Sequence, residues 1–293
     1  MRAGGIVLAG GRSSRMGTSK ASLEWHGSTL LRRVVGIVAR SVDGPIVVVR
    51  SAGQELPRLP ATFEVVEDAR ADRGPLEALA AGLAALAGRA AVVFVASTDL
   101  PLLHPAFVGA VVAGIGAADD ICVPVVGQVI HPLAAAYRPD RVAPAAAALL
   151  AAERLRLGLL VERCRVRRLE AAELLSDARV AAADPGLESV VNVNGPDEYR
   201  AARRRPPPAI EVLLGSGLGG AGRGGGAASV ARAATLGGAA AAVGLVVGDG
   251  VVGWVNGGPA DGDPELPLVA GDTVTFGREV APAHEGLDSA AGL

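Results

Sequence analysis

At 293 residues the chain is long enough for one large domain, or for a domain with a smaller module, and either buries a substantial core. Half of the residues are hydrophobic but only 3% are aromatic, so that core is built from Ala, Val and Leu packed closely rather than from large rings. A formal net charge of -2 excludes a protein that coats nucleic acid or a membrane surface, and any anion site must be local. Cys122 and Cys164 form neither a CxxC pair nor a Cys/His ligand spacing, which argues against structural zinc or a disulfide framework and for a reducing, cytoplasmic setting. The amino terminus lacks the order of a signal peptide, and the Ala-rich run near residues 239–247 is too short and Gly-interrupted for a membrane span.

In chain order, "GGIVLA" (Gly4 to Ala9) is an apolar run ending at a Gly pair, and "STLLRRVVGIVARSV" then carries apolar residues at helical spacing. "PIVVVR", "FEVVED" and "AAVVFVAS" are β-branched strand-like runs, and "GPLEALAAGLAALAG" between the last two is a helix entered through Pro75. Strands read as continuous apolar runs when both faces are covered, so this order predicts an α/β fold with a doubly wound, mainly parallel sheet. Further on, "ICVPVV" and "HPLAAAY" predict two strands, "RVAPAAAALLAAERL" a helix, and "CRVRRLEA" a strand in a more mixed half. "VVNVNGPDEYRAARRR" predicts a short strand, a turn and a polar helix, stopped by Pro206 to Pro208.

These signals divide the chain into a first domain over 1–204, a Pro-rich linker over 205–209, a small unit over 210–280 and a tail over 281–293. In the small unit "AIEVLL", "VVGWVNGG" and "LVAGDTVTFG" predict strands, and "GSGLGGAGRGGGAAS" (Gly215 to Ser229) reads as a mobile low-complexity loop.

The stretch "LAGGRSSRMGTSK" (Leu8 to Lys20) is the most informative in the chain. It follows the first predicted strand, where open α/β sheets bind ligands. Gly10 and Gly11 let backbone amides approach phosphate oxygens, and Arg15 and Lys20 add positive charge. The string fits neither a Walker A loop nor GxGxxG, and a polar Gly-rich turn is its bland alternative. Asp99 follows the run "AVVFVAS" and should emerge at the same sheet edge. It is a candidate magnesium ligand, with a turn or helix-cap role as the plain alternative.

The whole string resembles the LAGGxSxRMGxxK signature of nucleotidyltransferases similar to molybdenum cofactor guanylyltransferase. "EDARADRGPLEALAAGL", "STDLPLL", "HPLAAAY" and "VNVNGPDEY" resemble further motifs of that family, in the family's order, over roughly residues 4–204. The resemblance implies GMP transfer from GTP to molybdopterin with release of pyrophosphate. It implies nucleotide contacts at Leu8, Ala9, Gly10, Gly11, Lys20, Asp68 and Asp99, and catalytic roles for Arg15, Lys20 and Asp99. Mg2+, with Mn2+ as the alternative, would be held by Asp99. Near the reacting phosphates or pterin it implies Asn192 and Asn194, which face the same way in an extended segment and have a turn-forming role as their plain alternative, with His131 as a substrate-side candidate beside its plain reading as a packed or capping histidine. Partners implied are cofactor-biosynthesis and molybdoenzyme-maturation proteins. CMP transfer is the rival reaction, because cytidylyl relatives tend to carry LAAG where this chain has Leu8-Ala9-Gly10-Gly11.

A reading from another class rests on "VVGWVNGGPADGDPELPLVAGDTVTF", which resembles the latter half of β-grasp sulfur-carrier proteins. Such carriers end in Gly-Gly, whereas here Gly257-Gly258 is internal and the chain ends Ala291-Gly292-Leu293. A degenerate β-grasp appendage used for docking or stability is therefore expected rather than a working carrier.

Overall fold

A computed structural model of the chain describes residues 2–10, 19–68, 70, 73–215, 218, 228–248, 250–260 and 262–278. Strand β1 (Ala3–Leu8) is buried throughout and sits in the middle of the main sheet. Past a 3-10 turn at Lys20–Ser22, a small hairpin of β2 (Glu24–Trp25) and β3 (Ser28–Thr29) leads into helix α1 (Leu30–Ala39). Thr29 caps this helix by accepting a hydrogen bond from the Arg32 amide. Strands β4 (Ile46–Arg50) and β5 (Glu64–Glu67) follow, then helix α2 (Pro75–Leu86), which starts on a proline as predicted. Strand β6 (Val92–Ser97) is wholly buried, and helix α3 (Pro105–Gly114), which the sequence did not signal, comes next.

The second half holds β7 (Ile121–Val126), β8 (Val129–Ile130), β9 (Ala134–Tyr137), α4 (Pro139–Ala151), α5 (Leu157–Arg163) and β10 (Val166–Glu170). Short helices α6 (Ala171–Leu174) and α7 (Ala178–Ala183) precede α8 (Pro196–Arg203). The sheet runs β10-β7-β9-β6-β1-β4-β5, with β8 paired to β7. Pairings of β1 with β4 and β6, of β4 with β5 and of β10 with β7 are parallel, while β9 is antiparallel to both neighbours. Side chains alternate across β1: Val7 enters a core with α1 and α3, whereas Ile6 and Leu8 enter the opposite core with α2 and α4. That is the doubly wound, mainly parallel α/β arrangement expected from the buried strands.

Residues 191–195 do not form the short strand expected there. Val193 is buried and its amide donates to the Asp99 carbonyl at 2.9 Å, one bond in place of a ladder.

Beyond the prolines lies a separate sheet of β11 (Ala209–Leu214), β12 (Ala228–Arg232), β13 (Val251–Val255), β14 (Gly258–Pro259) and β15 (Thr273–Arg278), in the order β12-β11-β15-β13-β14. Helix α9 (Leu236–Ala242) packs on it, with Leu236, Ala239 and Ala240 in a core with Val212, Val274 and Phe276. Most of the Gly-rich segment expected as a loop lies outside the described residues, and its last two residues, Ala228 and Ser229, belong to β12. Among the described residues, no helix is long and apolar enough to cross a membrane.

Candidate active site

Two buried parallel strands, β1 and β6, end side by side, and their register fixes what meets at that edge: Leu8 stands opposite Ser97. The Thr98 amide and hydroxyl both donate to the Leu8 carbonyl, at 3.2 and 2.8 Å, which locks the two strand ends together. Beyond them the chain leaves the sheet on both sides. A cavity of about 430 Å³ opens there, walled by Leu8, Ala9 and Gly10 on one side and by Ser97, Thr98 and Asp99 on the other. Lys20, Ser51, Asp68, Gly74, Pro75, Ala78 and Leu133 complete its lining. An open cleft of about 530 Å³ lies elsewhere, over the β5 edge between Arg50 and Phe63; it gathers mostly apolar and proline side chains and none of the sequence-predicted site residues.

Charge is concentrated at the cavity wall. Lys20 Nζ lies 3.4 Å from Asp99 Oδ2 and 3.5 Å from Asn194 Oδ1, so three residues widely separated in sequence meet at one point. The Ser97 hydroxyl donates to Asp99 Oδ1, which fixes the orientation of the carboxylate. Asn194 is held in turn through its amide, which donates to Glu198 Oε2 at 2.6 Å, an acceptor in the first turn of α8.

Across the cavity Asp68 is buried and its Oδ2 accepts from the Ser51 hydroxyl at 3.3 Å. Its neighbour Glu67 diverges, pairing with Arg50 at 2.7 Å on the surface. The adjacent carboxylates therefore have separate environments, and only Asp68 lines the cavity. Gly74 takes φ +80° and ψ -177°, a conformation essentially restricted to glycine, as the chain enters α2.

Gly10 lines the cavity without a side chain for a steric reason: a Cβ there would lie 2.8 Å from Ser51 Oγ and 3.3 Å from the Ser51 amide nitrogen. Gly11 and Arg15 lie outside the described residues. Both flanks of that segment are tied by one side chain the sequence did not single out. Gln54 Nε2 donates to the Ala9 carbonyl at 2.9 Å and to Ser19 Oγ at 3.2 Å, while its Oε1 accepts from the Ser51 amide at 3.1 Å. No spacing marks Gln54, because it acts from a turn after β4. Ser97 and Thr98, in contrast, stand beside Asp99 within "STDLPLL".

The structure does not bring every candidate together. Asn192 is exposed and is not among the residues lining the cavity. His131 sits between β8 and β9 with its amide donating to the Pro124 carbonyl; Leu133, not His131, lines the cavity. Burial lowers the His131 pKa, favouring its neutral form.

Among the described residues there is no group of three or more His, Cys, Asp or Glu side chains able to hold a metal by themselves. The Asp99 carboxylate, with an amide oxygen of Asn194 nearby and Asp68 across the cavity, is a hard-oxygen set that fits a magnesium-type ion whose other ligands are phosphates and water.

The family model of the MobA-like NTP transferase domain matches residues 5–166. A curated protein of Mycolicibacterium paratuberculosis named "Probable molybdenum cofactor guanylyltransferase" is 39% identical over 144 residues, covering 48% of this chain and 71% of the relative. Its namesake in Mycobacterium marinum is 36% identical over 169 residues, covering 56% of this chain and 82% of the relative. Among solved structures, molybdopterin-guanine dinucleotide biosynthesis protein A from Archaeoglobus fulgidus aligns with a TM-score of 0.53 at 19% identity, covering 68% of this chain and 96% of that one, a likeness of fold.

Proposed function

Because the chain belongs to the MobA-like NTP transferase family, we propose that it transfers GMP from GTP to the terminal phosphate of molybdopterin, releasing pyrophosphate. The observation that carries the reading is the meeting of Lys20, Asp99 and Asn194 at a cavity formed where β1 and β6 end. In the reaction a phosphate oxygen of the pterin forms a bond to the α-phosphorus of GTP as the bond to the β-phosphate oxygen breaks. No protein nucleophile is needed, so the protein's work is alignment of two anions and compensation of their charge.

Each residue has a part in that work. Lys20 supplies a cation at the cavity wall, and its contact with Asp99 keeps it there before substrate enters. Gly10 leaves room for the triphosphate beside Ser51, and Asp68, backed by Ser51, faces the nucleoside end. Asn194 stands on the acceptor side. Asp99, with Asn194 in reach, is the residue that would hold Mg2+, which when bound offsets phosphate charge. Arg15 and Gly11 belong to the same proposal on the strength of the signature string.

GTP is favoured over CTP by the Gly10-Gly11 pair, where a second alanine would stand in the cytidylyl pattern. Purified protein supplied with molybdopterin, Mg2+ and either nucleotide should form the guanine dinucleotide and pyrophosphate; faster consumption of CTP would overturn the guanylyl assignment.

The unit after residue 209 is read as a β-grasp appendage, supported by its strand order, with the parallel β11–β15 pair flanked by antiparallel β12 and β13, a further antiparallel β14 at the edge, and a helix on one face. The internal position of Gly257-Gly258, with Gly257 in the turn after β13 and Gly258 the first residue of β14, supports a docking or stabilising role over sulfur carriage.

A further inference from the structure

Helix α1 carries Arg32 and Arg33, Arg40 follows as its C-cap, and all three arginines bond to the carboxyl-terminal unit. Arg32 Nη2 contacts both oxygens of Asp263, at 2.6 and 2.7 Å. Arg40 makes a two-pronged pair with Asp272, at 2.6 and 2.9 Å, and also donates to the Pro267 carbonyl. Between them Gly36 admits the Pro267 ring, which a Cβ would approach to 2.5 Å. The contact is polar, close and specific, so the unit is seated on α1 in one orientation.

Arg33 does something different. It is 7% exposed and lies 6.0 Å from the Trp25 ring centroid, beneath the seam. Its Nη1 donates to the Leu268 carbonyl of the carboxyl-terminal unit at 3.2 Å, while its Nε donates to the Pro101 carbonyl, two residues beyond Asp99. A second link runs in parallel: His104 Nε2 lies 3.2 Å from the Ala270 carbonyl, and the His104 amide donates to Ser189 Oγ at 3.0 Å. The turn from Asp99 to His104 is therefore gripped from outside by the stretch 268–270, at Pro101 through Arg33 and at His104 directly.

We propose that Arg33 is a positioning residue, which transmits the seating of the carboxyl-terminal unit to the turn that carries Asp99 and so makes that unit part of the support of the active site. Arg33 does not touch the cavity, and its effect runs through the backbone of Pro101. Where the carbonyl is unheld, the turn gains freedom and the Asp99 carboxylate is less often in register with Lys20. The consequence for turnover rests on the nucleotidyl-transfer reading; the mechanical link does not.

The experiment compares the full-length protein with Arg33→Met, Arg33→Lys and the double variant Asp263→Ala/Asp272→Ala, which loosens the seat without altering Arg33. Hydrogen exchange by mass spectrometry reads residues 99–104 against 92–96 of β6, and steady-state kinetics read kcat and KM for GTP. The expected result is at least tenfold faster exchange at 99–104 in Arg33→Met and in the double variant, with β6 unchanged. Turnover should drop about tenfold with KM for GTP within twofold, the split expected when alignment rather than nucleotide binding is lost. Arg33→Lys, which keeps the charge but cannot span both carbonyls, should behave like Arg33→Met. Exchange at 99–104 that stays at the native rate in the double variant, or that rises equally in β6, overturns the proposal. Accelerated exchange confined to 99–104 in a protein that does not transfer GMP would uphold the link and reject the transferase reading.

Discussion

Lys20 and Asp99 depend on each other before any substrate binds, since each is partly buried and each is the other's counter-ion at 3.4 Å. At 3.4 Å the contact is longer than a charge-assisted hydrogen bond and it borders an open cavity, so it contributes little to stability and both residues can be replaced in a folded protein. In the proposed reaction Lys20 meets the triphosphate directly and Asp99 meets it through a metal ion. Asp99→Ala and Lys20→Ala are each expected to cut magnesium-dependent GMP transfer by about a hundredfold or more while leaving the circular dichroism spectrum unchanged, and near-native rates in both would remove these roles. Gln54 makes a weaker but separable prediction. Gln54→Ala removes hydrogen bonds to both flanks of the signature segment, each of which contributes about 1 kcal/mol. It should raise KM for GTP about three- to tenfold with a smaller change in kcat, and equal falls in kcat and kcat/KM would show that Gln54 acts on the chemistry instead.

Helix α1 shows how a local preference is set aside for a close contact. Gly36 costs a mid-helix position about 1 kcal/mol relative to alanine, yet alanine there would press on the Pro267 ring at 2.5 Å. A rigid ring cannot swing aside, so overpacking outweighs helix propensity, and Gly36→Ala should destabilise by about 1–3 kcal/mol in urea denaturation rather than stabilise. Helix α3 is capped by a titrating group: His104 Nδ1 accepts from the Ala106 amide at 3.1 Å, and Nε2 therefore carries the hydrogen toward Ala270. Burial holds the His104 pKa below its ordinary 6.5, against the hydrogen bond to the Ala270 carbonyl and the charges of Asp184 and Asp272, with Arg40 acting in the same direction as burial. The unfolded chain takes up the proton first as pH falls, so stability is full above about pH 6.5 and declines as pH drops toward the lowered folded value. His26 and His131 are shifted in the same direction by burial and add to the slope. The urea midpoint should fall between pH 7.5 and 5.5, with a shallower fall in His104→Gln; an equal slope would take the effect away from His104. Elements with continuous apolar runs, such as β1, β6 and β7, were legible in the sequence because burial on both faces leaves no other reading. Helix α3 was not, since "PAFVGAVVAG" is apolar all round and has no helical stripe. Lys20 and Asp99 were legible from motifs, whereas Gln54 and Arg33 act through backbone carbonyls, whose position only the fold decides.

At the scale of the whole molecule, the seam between the two sheets decides whether the chain unfolds once or twice. Asp272 is 3% exposed and accepts from Arg40, from Asn256 Nδ2 at 2.8 Å and from the Val269 amide at 2.8 Å, so one carboxylate organises the turn before β15 and binds it to α1. Two losses have to be weighed. Ending the chain at Arg205 removes the acidic partners of Arg32 and Arg40 together with the unit that covers them, so the cost is limited to the contacts withdrawn. Asp272→Ala keeps the unit in place and leaves Arg40 partly buried without its carboxylate, together with two stranded donors. Breaking a buried pair from one side costs about 3–5 kcal/mol, more than a surface pair ever contributes. The intact protein should therefore melt in a single calorimetric transition, because the units share a desolvated polar seam. Asp272→Ala should lower stability by about 3–5 kcal/mol and split the endotherm in two, the carboxyl-terminal unit melting first. Two transitions in the native protein, or one unshifted transition in Asp272→Ala, would mean that the units fold independently and that the seam carries no coupling from one to the other.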